Sequence, residues 1–273
     1  MSLPWTIVSL VAINAVAIAA MLLLRRRAPE GGYFSDGDRA SGVFGVLAGA
    51  FALFAGFIVF LAFTTYDQSR SGGETEALTV IQQFETAQFL PQAVHERLSG
   101  ELVCYGRSVV HQEWSQMEHG SGGDTINPWA IALFRSTKLA RPVTPTEQAA
   151  YAKWLDQRSD REQARIDRIH GGEGVIPVPL WIVLFLSAGV IFLFMLFFAD
   201  SGERAFVQAT MMGGVTVVIS SMLLLLWFLD NPYHAGVGGL PPTAMERTLE
   251  ILDQQAKIVG LKFSGCDARG VAN

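Results

Sequence analysis

Charge is scarce in this 273-residue chain: Asp, Glu, Lys and Arg make up 16% of it, against 50% hydrophobic residues. Four stretches, residues 3–24, 42–66, 176–199 and 206–229, contain none of the four. Each holds between 22 and 25 residues. About 20 residues cross a ~30 Å hydrocarbon core at roughly 1.5 Å rise per residue. A core helix of a soluble protein does not stay uncharged for so long, and not four times in one short chain. The scarcity therefore excludes an ordinary soluble domain and predicts four membrane spans.

Other absences narrow the function. A net charge of −5 provides no basic field for nucleic acid. No Gly-x-x-x-x-Gly-Lys, no Gly-x-Gly-x-x-Gly after a strand and no His-Glu-x-x-His occurs. The closest metal-like grouping is His111 and His119 with Glu113 and Glu118 nearby. A solvated helix end explains those four more economically than a metal site, so no metal or cofactor is expected, and no enzyme. The spans carry only light polar groups: Asn14 in the first, and Gln208, Thr210, Thr216, Ser220 and Ser221 in the fourth. Ionisable residues inside the membrane mark proton relays and voltage sensors. Their absence argues against a pump and permits a passive pore or a purely packing role.

The few basic residues set the orientation. No basic side chain precedes the first apolar stretch, and Arg25, Arg26 and Arg27 follow it directly. That order is the reverse of a cleaved signal peptide, so the stretch reads as an anchor. Residues 25–41 hold four Arg against three acids, which places this short loop in the cytoplasm. Counting spans forward puts residues 67–175 and the segment from 230 on the extracytoplasmic side of a bacterial inner membrane.

The chain then divides into spans one and two with their loop (1–66, loop 25–41), a helical extramembrane insert (67–175), spans three and four (176–229) and a tail (230–273). In the insert, Leu78, Ile81, Phe84 and Phe89 lie near helical spacing over 74–90. Pro91 opens a second helix in which Val94, Leu98, Leu102, Tyr105 and Val109 recur at steps of three and four, to about Met117. Gly120 and the Gly/Ser-rich run to 124 break it. A short helix covers 129–137. Thr144 and Glu147 have capping-box spacing for a charged helix ending at His170 before Gly171 and Gly172. In the tail, Met245, Leu249, Leu252 and Ile258 give a short amphipathic helix, and residues 260–273 read as a loose end. The fold class is all-α. Only two cysteines exist, Cys104 and Cys266, and the orientation puts both on the oxidising side, where a disulfide is expected.

The second span has two faces. Gly42, Gly45, Gly49, Ala52 and Gly56 fall within about 80° of arc at 100° per residue, a small-residue stripe of the kind that lets helix backbones approach closely. Phe44, Phe51 and Phe54 lie roughly opposite, with Phe57 and Phe60 further along. The glycine face is expected to pack against helices. The phenylalanines Phe44, Phe51, Phe54 and Phe57 either meet lipid or line a pore that gates by dewetting.

An ordered set of motifs runs from about residue 40 to 255. The Gly/Phe-rich span ends in Tyr66 and is followed by Glu74, Glu76 and Ala77, then Leu90 and Pro91, then Tyr105, Val109, Glu113 and Trp114. Arg161 and Arg165 follow, then Pro179, Leu180 and Trp181, and finally Asp230, Asn231, Pro232, Tyr233 and Gly236. In this set the chain resembles bacterial bestrophin-like membrane proteins. The resemblance implies a pentameric anion channel with four spans per subunit, a helical extramembrane domain after the second span and a phenylalanine neck on that span. Two features depart from it: bestrophins keep the large domain in the cytoplasm, and no acidic cluster here matches a calcium clasp. The function expected is passive conduction of small anions by a homo-oligomer in the lipid bilayer. The alternative is a non-conducting scaffold of an envelope complex, with the insert and its aromatics Trp114, Trp129, Tyr151 and Trp154 as the binding surface.

Overall fold

The structure is a computed structural model that describes residues 3–120, 126–261 and 265–273. In chain order its helices are α1 (Leu3–Arg25), α2 (Gly37–Ala87), α3 (Gln92–Ser108), a π-helical turn (Val109–Glu113), α4 (Trp114–Glu118), α5 (Pro128–Thr137), α6 (Pro145–His170), a 3₁₀ turn (Gly171–Glu173), α7 (Val178–Leu196), α8 (Ala205–Asp230) and α9 (Thr243–Val259). No strand forms among the described residues, and one isolated bridge pairs Cys266 with Ala272. Helices α1, α2, α7 and α8 are long and apolar enough to cross a membrane. The protein is an all-α membrane protein with four spans and a large helical insert between the second and third. Two compact units form: a span unit of residues 1–64, 175–230 and 235–237, and an insert unit of 65–174, 231–234 and 238–273.

In the span unit, Ala17 and Met21 of α1 pack with Met195 of α7 and Met212 of α8. Polar groups finish the helix ends. The Arg25 guanidinium donates to the carbonyls of Ser201 at 3.0 Å and Glu203 at 3.1 Å, tying the end of α1 to the α7–α8 turn. Asp230 accepts from the backbone N–H groups of Val175 (2.6 Å) and Ile176 (2.7 Å) and from Trp181 Nε1 (3.2 Å). A carboxylate there satisfies donors left without partners ahead of α7 and complements the positive end of the helix dipole.

The insert unit buries Val94, Leu98, Leu102, Tyr105 and Val109 on one face of α3 and its continuation, as their spacing predicts. Thr144 and Glu147 form the expected reciprocal cap on α6. In α9, Met245 and Leu252 are buried whereas Ile258 faces solvent. The Gly/Ser-rich break expected at 120–124 falls, beyond Gly120, outside the described residues.

Three expectations need correction. The second span does not give way to a separate helix at 74: α2 runs through Gly72 and Gly73 unbroken. Glycine weakens a helix by only about 1 kcal/mol relative to alanine, and here its missing side chain is used. A Cβ on Gly72 would sit 2.6 Å from the backbone N of Arg168 and 2.8 Å from the carbonyl of Ala164, so Gly72 is where α6 crosses α2. Second, Leu78 and Phe89 are exposed, and the buried face of α2 is instead Glu76, Ala77, Val80, Gln83, Phe84 and Ala87. Two polar residues in that stripe hide its apolar period. Third, residues 265–273 are no loose end, because they are fastened to α3 and α5 as described below.

Gly72→Ala is expected to destabilise the insert by about 1–3 kcal/mol, the usual cost of overpacking a tight crossing. Thermal unfolding of the detergent-solubilised protein measures it. Gly37→Ala, at the start of α2 where an added Cβ meets nothing within 4 Å of its own chain, serves as the comparison with little change.

Candidate functional site

In the span unit, α2 divides into a covered face and an open one. Ala40, Phe51, Ala55, Ile58 and Ala62 are buried within the chain, Phe51 at 6% exposure. Phe44 stacks on Phe194 of α7 at 6.0 Å and meets Phe198 edge-on at 5.9 Å; Phe34 joins the same cluster, 5.4 Å from Phe194 and 5.0 Å from Phe198. Phe44 and Phe51 therefore fill the interior of the span unit. Phe54 is half-buried. The open arc carries Leu53, Phe57 at 60% exposure and Phe60. Beside them lies the small-residue stripe: Gly42, Gly45, Gly49 and Gly56 have no neighbour within reach of an added Cβ, and Ala52 is exposed. Within one chain the glycine stripe is thus free and part of the phenylalanine face is covered. The spacing shows two faces, but it carries no information on which of them the partner spans occupy.

The insert unit is organised around buried charge. Arg168 of α6 and Glu76 of α2 are both completely buried. The Arg168 guanidinium binds Glu76 through Nε and, at 3.1 Å, through Nη2, and it also donates to Glu113 Oε2 at 2.6 Å. Glu113 accepts further from Arg165 Nε at 3.3 Å and from Asn127 Nδ2 at 2.7 Å. Tyr105 donates its hydroxyl to Glu76 and Tyr233 donates its own to the Arg168 carbonyl, each at 2.5 Å. Trp114 lies against the guanidinium, 5.1 Å from ring centre to Cζ, while its Nε1 donates to the Leu240 carbonyl at 2.8 Å. Two turns away, buried Arg161 donates to Gln83 Oε1 at 2.6 Å and stacks over the Tyr105 ring at 4.7 Å.

The π-helical turn makes this possible. It inserts an extra residue between α3 and α4 and so rotates Glu113 inward to the arginines. Such turns recur at functional positions. Burial disfavours ionised Glu113, but the Arg168 and Arg165 guanidiniums outweigh it and hold its carboxyl below the ordinary carboxylate range. Burial likewise opposes charge on Arg168, and the carboxylates of Glu76 and Glu113 prevail and keep it charged. The Tyr105 and Tyr233 hydroxyls are pushed up chiefly by burial, so both stay protonated donors.

Several sequence readings meet here. Glu76, Tyr105, Glu113, Trp114, Arg165 and Tyr233, all singled out as motif residues, converge on one point. Arg168, at its centre, was missed, because an arginine in a charged helix gives no sign of burial. Glu113 is taken by arginines and His111 is exposed; among the described residues no group of three or more His, Cys, Asp or Glu is arranged to hold a metal ion. Trp114 and Trp154 lie in the insert core. Cys104 and Cys266 are bonded.

A depressed folded-state pKa stabilises the protein above the unfolded value, near pH 4.3 for Glu, and that stability is lost as pH falls through the folded value. Glu113→Gln is expected to cost about 3 kcal/mol at neutral pH by leaving buried arginine charge uncompensated. It should also flatten the acid side of the stability curve. Melting temperatures of both proteins from pH 3 to 7 check this, and parallel curves would remove Glu113 as the source.

The family model of the bestrophin-like domain matches residues 11–241. The fold is shared with mutant crystal structures of a bacterial bestrophin homologue from Klebsiella pneumoniae. One is 15% identical with a TM-score of 0.65, covering 94% of this chain and 98% of that one. A second is 16% identical with a TM-score of 0.64, covering 92% and 98%. The comparison with curated proteins found no match. With the family model spanning most of its length, the chain belongs to the bestrophin-like family.

Proposed function

We propose that the protein is the subunit of a homo-oligomeric channel that passively conducts small anions across the bacterial inner membrane, with the open arc of α2 lining the pore. One observation carries the reading: in a family of four-span proteins, this chain leaves one apolar face of its second span without intrachain cover while filling the other with Phe44 and Phe51. Phe57 is the constricting ring, and Phe54 flanks it. The adjoining stripe of Gly42, Gly45, Gly49, Ala52 and Gly56 is the contact between neighbouring subunits, which number five by family likeness. Uncharged spans suit an apolar constriction that gates by dewetting and leave no side chain to drive coupled transport.

Orientation belongs to the same proposal. Arg25, Arg26 and Arg27 favour a cytoplasmic first loop. The bonded Cys104–Cys266 pair favours an oxidising compartment for the insert. Two unrelated kinds of chemistry thus support the same extracytoplasmic side.

Purified protein in planar bilayers is expected to give discrete unitary currents whose reversal potential in a KCl gradient follows chloride. Silent bilayers from intact oligomer, with a constant foreign protein co-purifying from native membranes, would replace the channel by a scaffold. Phe57→Ala should raise unitary conductance by widening the ring, whereas Phe51→Ala should cost stability and leave conductance near wild type. Gly49→Leu should shift the oligomer to smaller species on size exclusion by pushing close backbones apart. Unchanged size would take the stripe out of the interface.

A further inference from the structure

Residues 265–273 lie as a strap across the π-helical turn. Three side chains of the insert grip its main chain. Arg107 Nη1 donates to the Asp267 carbonyl at 3.3 Å, Gln112 Nε2 to the Arg269 carbonyl at 3.2 Å and Trp129 Nε1 to the Gly270 carbonyl at 2.6 Å. Internally the strap is a small turn: Asp267 accepts the N–H groups of Arg269 at 2.9 Å and Val271 at 2.8 Å, and its own N–H donates to the Val271 carbonyl at 2.9 Å. Gly270, at φ +76°, lies so flat on the backbone at Ser108 that no Cβ fits. Ser108 is the residue immediately before the π turn.

These contacts lead to the ion cluster by two short routes. Gln112 belongs to the π turn and adjoins Glu113. Trp129 donates its backbone N–H to Asn127 Oδ1 at 2.9 Å, and Asn127 Nδ2 holds the Glu113 carboxylate at 2.7 Å. The strap therefore braces both the backbone beside Glu113 and the side chain that clamps it. A few hydrogen bonds, each of small net value, do not by themselves offset the ordering of nine residues. The covalent link from Cys266 to completely buried Cys104 keeps the strap in place.

We propose that the Cys104–Cys266 bridge is a thiol-operated latch: closed, it seats the strap on the π turn and keeps Glu113 locked on Arg168 and Arg165; opened, it frees the strap and loosens that lock. Opening consumes one dithiol. A thiolate attacks at Cys266, the more accessible of the two, and the S–S bond breaks as a mixed disulfide forms. The second thiol then resolves it, leaving two protonated cysteines and the dithiol as a disulfide. Closing returns two electrons to a disulfide-class oxidant. This inference stands apart from the channel reading, since it concerns the insert alone and needs no current.

The test is hydrogen–deuterium exchange on the full-length protein in nanodiscs, comparing oxidised wild type, wild type treated with dithiothreitol, and Cys266→Ser. Maleimide labelling counts free thiols in each. Protection over residues 109–113 and at the Asn127 and Trp129 amides is expected to fall about tenfold or more in both opened forms, while the first turns of α6 keep theirs. Unchanged protection over 109–113 with two free thiols would overturn the latch. So would a bridge that dithiothreitol cannot open in the folded protein, or a uniform loss of protection across the insert.

Discussion

A single guanidinium, that of Arg168, sets the terms for the insert. Burying it is costly unless carboxylates meet it with good geometry, and Glu76 and Glu113 do so from helices far apart in sequence. Each neighbouring oddity serves that placement. Gly72 lets α6 come close enough to bring Arg168 beside Glu76. The π turn swings Glu113 inward. Tyr105, Asn127 and Arg165 occupy carboxylate positions that would otherwise be left without partners, and Tyr233 closes over the Arg168 carbonyl. Removing one member leaves the others as buried charge, so the cluster holds the insert in one arrangement as much as it stabilises it.

The span unit rests on different physics. Its described hydrogen bonds between elements gather at the helix ends, around Arg25, Asp200, Gln208 and Asp230, and its interior is made of methionine, alanine and stacked phenylalanine. Apolar contacts of this sort discriminate poorly between partners of similar shape. In the channel proposed above, the glycine stripe left open in one chain is covered by an equivalent helix of another.

Much of the fold was legible because the signals were local. Uncharged runs give the spans by length alone, and capping residues such as Thr144 and Glu147 fix a helix start within a few positions. The α3 core was readable from period, since Val94, Leu98, Leu102 and Tyr105, which recur at steps of three and four, are all buried. Legibility failed where burial is polar: Glu76 and Gln83 interrupt the stripe on α2, and Arg168 looks like any arginine of a charged helix. The π turn was invisible because one inserted residue leaves composition and spacing unchanged on either side. The faces of α2 were separable by angle, but which face meets the other helices depends on contacts far away in the chain.

The Cys104–Cys266 bond closes a ring over a sequence separation of 162, and α7 and α8 lie inside that ring. Cys266 follows both of them in the chain, so the bond can close only after the last two spans have been made and its own side of the membrane reached. A closed bond is therefore a covalent record that both of these helices have been made. Once the ring is closed, a protease that nicks any exposed loop between the two cysteines cuts the backbone without releasing either fragment.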